Sequence, residues 1–71
     1  MLNSENLHDD RILSLRDWCR LNGISLATGR RLIARGEGPR VIQLSARRMG
    51  VRVSDNRNWQ DSRTRGRLGA A

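Results

Sequence analysis

The spacing of apolar residues changes from helical to strand-like near the middle of the chain. Leu15, Trp18 and Cys19 fall three and four positions apart and mark one face of a helix over roughly 15–22. Ser14 precedes it with Asp17 three positions on, the spacing of a capping box, and Asn22-Gly23 supplies the left-handed stop. Ile24 plugs a tight turn, Ser25 is a good N-cap for a second helix over Leu26–Arg35, and Gly36 closes it. On that second helix Leu32 and Ile33 turn toward the first, while Thr28, Arg30, Arg31 and Arg35 take the remaining surface. Gly29 falls in its interior, where glycine costs about 1 kcal/mol relative to alanine and leaves the core side thin.

Pro39 ends the helical region, and from Arg40 the period becomes two. Val41–Leu44 forms one short run; in the next, Met49, Val51 and Val53 alternate with Gly50 and Arg52, as in a half-buried strand. The intervening Ser45–Arg48 is short enough for a hairpin, so residues 40–53 predict a wing with a basic tip. Ser54 can cap a third helix over 55–62, anchored by Trp59, although Asn56, Arg57, Asn58 and Gln60 give it almost no apolar stripe. Arg11-Ile12-Leu13 suits a short opening strand or an apolar lead-in. The predicted fold class is therefore α+β: a small winged helix-turn-helix with two main helices, a two-stranded β-hairpin wing and a short C-terminal helix. It occupies residues 11–62, between a flexible acidic arm over 1–10 and a disordered basic tail over 63–71.

Charge adds a partner to this outline. All 14 basic residues are arginine and the formal net charge is +7. Glu5, Asp9 and Asp10, with no arginine beside them, make residues 1–10 acidic by three charges, which leaves the other 61 residues at +10. Guanidinium groups bind phosphate and guanine edges in a bidentate way that ammonium cannot. Nucleic acid is the leading partner on that ground, ahead of an anionic membrane or an acidic protein. Phe and Tyr are absent, and Trp18 and Trp59 both fall where a core residue is needed. Single strands are usually held by exposed rings on which bases stack, so double-stranded DNA is favoured.

Other chemistries are excluded or left without residues. The single Cys19 forms no internal disulfide, and one His with one Cys makes no zinc site, so no metal or cofactor is expected. No nucleophile is paired with a base and an orienting group, because the one histidine, His8, lies in the acidic arm; the chain is not expected to be an enzyme. No apolar run approaches membrane-spanning length and Met1–Asp10 is no signal peptide, which makes a cytoplasmic protein at the bacterial nucleoid the expectation.

The candidate DNA contacts follow from placement. Arg30 and Arg31 lie mid-helix on the second helix, where they suit bases or phosphates of the major groove. Thr28 offers a hydroxyl to phosphate, and Ser25 begins the same helix. Arg35, a turn later, suits a phosphate or the helix C-terminal dipole. Arg47 and Arg48 occupy the hairpin tip and suit the minor groove or its phosphates, and Arg52 alternates outward from the second strand.

The same residues carry a family resemblance. Ser25-Leu-Ala-Thr-Gly-Arg-Arg-Leu-Ile-Ala-Arg35, preceded by Leu13-Ser-Leu-Arg-Asp-Trp18, resembles the opening half of the lambdoid phage excisionases. Pro39-Arg-Val-Ile-Gln-Leu-Ser-Ala-Arg-Arg-Met-Gly-Val-Arg52, leading to Trp59, is similar to the AlpA-type phage regulators. Both groups are MerR-like winged helices, and the likeness spans residues 11–62. It implies small monomers that self-associate along adjacent DNA sites, with the second helix in the major groove and the wing on the neighbouring minor groove. For an excisionase it further implies a bent attachment site and a tyrosine integrase partner that is turned toward excision; for an AlpA-like protein, control of mobile-element promoters. Thr28, Arg30 and Arg31 match the groove-facing positions and Arg47 and Arg48 the wing tip. Ala27 replaces an acidic base-reading residue, Gly29 a valine-type core residue, and Asn56 a leucine, so the target sequence does not carry over. The expected function is an excisionase, with an AlpA-like regulator as the alternative and a basic protein-interaction adaptor as the alternative from another class.

Overall fold

A computed structural model describes residues 11–65. The acidic arm over 1–10 and residues 66–71 of the basic tail lie outside the described residues. The element order is β1 (Ile12–Ser14), α1 (Leu15–Leu21), α2 (Leu26–Ala34), β2 (Ile42–Ser45), β3 (Arg48–Arg52) and α3 (Val53–Arg63). The described residues are thus α+β, with three helices and one three-stranded antiparallel sheet in the order β1-β3-β2.

Local chemistry sets the first two helices. Ser14 Oγ accepts the Asp17 amide at 3.0 Å at the start of α1, and Ser25 Oγ accepts the Thr28 amide at 3.0 Å at the start of α2. Both helices end on a glycine in the left-handed region, Gly23 at φ 69° and Gly36 at φ 76°. In each case the amide after the glycine returns to a carbonyl of the last turn, Ile24 to Cys19 at 3.0 Å and Glu37 to Leu32 at 2.9 Å. This double closure satisfies carbonyls that a helix end otherwise leaves open.

The sheet is larger than the two-stranded hairpin the pattern predicts. Ile12–Ser14 pairs antiparallel with Gly50–Arg52, so β3 becomes the central strand and Val51 is fully buried against Leu13 as its register partner. The hairpin turn shrinks to Ala46-Arg47, because Ser45 pairs with Arg48 across an irregularity between Gln43 and Ser45. Val53 does not extend the strand. It opens α3, and its amide is taken by the Arg11 carbonyl at 2.8 Å. Ser54 is accordingly inside the helix, and the N-cap position falls to Arg52, which makes no side-chain cap.

The core is small: Trp18, Cys19 and Val51, ringed by partly buried Leu13, Leu15, Ile24, Leu26, Leu32, Ile33 and Trp59. Gly29 is one of its tightest points. A Cβ on Gly29 would collide with Cys19 Sγ and stand 2.9 Å from Trp18 Cζ3. Glycine therefore lets α2 settle directly on α1, and the thin side expected at this position is instead a close contact.

The third helix lacks an apolar stripe and is fixed largely by polar side chains. Asn56, only 5 % exposed, accepts from Trp18 Nε1 at 3.0 Å and from Asn22 Nδ2 at 3.0 Å. Asn22 also donates to the Trp18 carbonyl at 2.9 Å, and its Oδ1 accepts from Gln60 at 2.8 Å. An amide oxygen that receives two side-chain donors from another helix fixes the orientation of α3, because a buried donor left unpaired would be costly. Trp59 leans on Trp18 with ring centroids 5.2 Å apart and donates Nε1 to the Glu37 carbonyl at 2.9 Å. Arg63 lies over the outer ring face, 5.4 Å from its centroid, so the helix runs one residue past the expected boundary.

Candidate nucleic-acid interface

The α1–α2 pair and the β2–β3 hairpin enclose an open cleft of about 880 Å³. Ser14, Leu15 and Arg16 contribute the start of α1; Leu26, Arg30, Ile33 and Ala34 one flank of α2; Leu44, Arg47, Arg48 and Met49 the hairpin. Its floor is apolar and its rim holds four arginines. All four are exposed, and among the described residues no carboxylate lines the cleft. Among the described residues the ion pair present is Arg35 with Glu37, at 3.9 Å on the solvent side of the C-terminus of α2. Four guanidinium groups gathered this closely focus a positive potential, which an approaching anion relieves.

The exposed face of α2 is narrow. Ala27, Arg30, Arg31 and Ala34 fall at i, i+3, i+4 and i+7 and are all open to solvent, while Gly29 is buried. Alanines on either side of the two arginines leave room for a backbone to come close. Arg30 turns to the cleft; Arg31 shares the exposed stripe but does not line the cleft. At the helix start, Ser25 Oγ donates to Thr28 Oγ1 at 3.0 Å while accepting the Thr28 amide. The Ser25 hydroxyl is thus engaged in the cap, and the Thr28 hydroxyl keeps its own proton for an external acceptor.

The expected contact residues are therefore only partly brought together. Arg30, Arg47 and Arg48 converge on the cleft, and Arg31 and Thr28 stay on the same helix beside it. Arg35 sits at the α2 C-cap, and Arg52 at the β3–α3 junction opposite Ile12; neither lines the cleft. Arg16 is the arginine that sequence reasoning missed. It belongs to the first turn of α1, and nothing in helical spacing reveals that this turn faces a hairpin thirty residues later.

Beneath the site, burial pushes the Cys19 thiol above its ordinary value, with the neighbouring Arg30 charge and a hydrogen bond with the Gly29 backbone opposing. The thiol is 2 % exposed and serves as a small apolar group. Among the described residues no three His, Cys, Asp or Glu side chains cluster as metal ligands, and no helix is long and apolar enough to cross a membrane. No protein-family model, curated protein or solved structure matches the chain.

Proposed function

We propose that the chain is a winged helix-turn-helix protein that binds double-stranded DNA and shapes it, acting as an excisionase for a mobile element. In this reading α2 enters the major groove and the β2–β3 hairpin is the wing. Arg30 and Arg31 face bases or adjacent phosphates, Thr28 reaches a phosphate, and Arg47 and Arg48 hold the flanking minor groove. The observation that carries it is the convergence of Arg16, Arg30, Arg47 and Arg48 around one cleft that no carboxylate lines among the described residues. A helix and a hairpin tip are the two shapes that the grooves of duplex DNA admit.

The narrow face of α2 favours an architectural role over a single strong reader. Only two arginines stand between small side chains, so few base edges are within reach and much of the selectivity falls to DNA shape and to copies bound side by side. Promotion of excision with a tyrosine integrase rests on the resemblance of the α1–α2 segment to excisionases.

The test is a fluorescence-anisotropy titration with attachment-site duplex across a salt series. Affinity should fall steeply with salt as counterions are released, and Arg30→Ala should cost about 1–3 kcal/mol of specific binding. A salt-insensitive complex, or one with an acidic protein in place of DNA, returns the adaptor reading. An excision assay with the cognate integrase then separates the two DNA roles. Unchanged excision, with altered output from a promoter of the element, assigns the AlpA-like regulatory role instead.

A further inference from the structure

The cleft has two chemical characters, and duplex DNA uses mainly one of them. Phosphates satisfy the arginine rim, but the floor formed by Leu15, Leu26, Ile33, Leu44 and Met49 is apolar, and Leu44 is 48 % exposed. An acidic segment with spaced aliphatic side chains would satisfy both. The chain carries one: Met1–Asp10 holds Glu5, Asp9 and Asp10 with Leu2 and Leu7 and no arginine. It joins the domain at Arg11, only three residues before Ser14 on the cleft lip.

From this complementarity we infer that the acidic segment 1–10 docks in the cleft of its own chain, with Leu2 and Leu7 on the apolar floor and the carboxylates against Arg30, Arg47 and Arg48. Ten extended residues reach about 35 Å, ample for a site whose lip lies so near the attachment point. Tethering raises the local concentration of the segment to roughly the millimolar range, so weak contacts suffice to fill the cleft. Docking makes the segment a competitor for DNA. Free DNA must displace three carboxylates from the rim, which lowers affinity for isolated or weak sites more visibly than for clustered strong ones. That regulatory consequence rests on the DNA-binding reading; the docking does not.

The test uses the full chain without DNA, followed by nuclear magnetic resonance of the Leu44 and Met49 methyl groups and the arginine side-chain N–H groups. Two variants are compared with the native chain, Glu5→Gln/Asp9→Asn/Asp10→Asn and Leu2→Ser/Leu7→Ser. Docking in cis moves the cleft resonances in both variants, independently of protein concentration. Unmoved resonances overturn the inference. So does a response to the charge variant alone, which marks long-range electrostatics without docking, or one that grows with concentration, which assigns the cleft to the arm of a second copy. In a parallel DNA titration at low salt the charge variant should bind about threefold to tenfold more tightly than the native chain, and the gain should shrink as salt screens the rim. Equal affinities at low salt overturn the competition. If the cleft resonances respond while no variant binds duplex DNA, the docking stands and the DNA-binding reading falls.

Discussion

Replacing Gly29 with alanine should destabilise the protein, although alanine is the better helix former. The new methyl would collide with Cys19 Sγ and stand 2.9 Å from Trp18 Cζ3, and both neighbours are almost fully buried. Neither can swing away without opening the α1–α2 contact. Overpacking of this kind costs about 1–3 kcal/mol, and the helix-propensity gain of alanine over glycine returns about 1 kcal/mol. With two buried neighbours the upper half of the range applies, giving a net loss of about 1–2 kcal/mol. For a domain of this size the midpoint of thermal unfolding should drop by roughly 4–16 °C. Circular dichroism melts and urea titrations measure it directly. A double-mutant cycle makes the cause explicit: in a Cys19→Ala background the sulfur is gone, and the cost of Gly29→Ala should shrink by at least about half. A Gly29→Ala protein as stable as the native chain or more so refutes the close-packing account.

Three further outcomes follow from the same geometry. Asn56→Leu fills the position with an apolar side chain of similar size but orphans Trp18 Nε1, which is completely buried; urea unfolding should show a loss of about 1–3 kcal/mol. Arg47→Ala/Arg48→Ala should leave stability nearly unchanged and reduce the slope of log affinity against log salt by about 2 if both touch phosphate. Cys19 is held protonated by burial, above its ordinary 9.0. Its contribution is fully present below that value and is lost as pH rises toward the folded-state value, because the unfolded thiol releases its proton first. Urea stability should therefore decline above about pH 9 in the native chain but not in Cys19→Ala, and thiol-reactive dyes should label Cys19 slowly until the chain unfolds.

The two α1–α2 helices were legible because their signals are local. Ser14, Ser25, Gly23 and Gly36 sit where cap chemistry requires them, and the helix ends fall within one residue of the expected ones. What depends on distant partners was not legible. An opening strand is one of the two readings of Arg11-Ile12-Leu13, and β1 forms there over Ile12–Ser14. Its pairing with the free edge of β3 is a long-range contact that no three-residue pattern announces. Asn56 adds nothing to an apolar stripe on its helix, yet its amide oxygen is claimed by Trp18 and Asn22, 38 and 34 positions away. Ser54 has the chemistry of an N-cap, but the Arg11 carbonyl takes the Val53 amide and the helix starts two residues earlier, with Arg52 at the N-cap position. The same division holds at the cleft. Arg47 and Arg48 announce themselves at a hairpin tip, whereas Arg16 joins them only through tertiary packing.

Gly29 links the packing to the proposed interface. Its neighbour in sequence, Arg30, lines the cleft, so the depth at which α2 rests on α1 sets where that guanidinium stands relative to Arg47 and Arg48. A methyl at position 29 must either displace Trp18 or lift α2, and Trp18 is pinned by its hydrogen bond to Asn56. Lifting α2 is the softer response, because its outward face is solvent. On the proposed DNA-binding reading, Gly29→Ala should then weaken affinity for duplex DNA even at a temperature where the variant is fully folded, although no side chain of the proposed interface has changed. Cys19→Ala in the same chain should recover part of the affinity by letting α2 settle back. Recovery of stability without recovery of affinity would separate the helix contact from the arginine arrangement, and would place the control of the cleft in the hairpin alone.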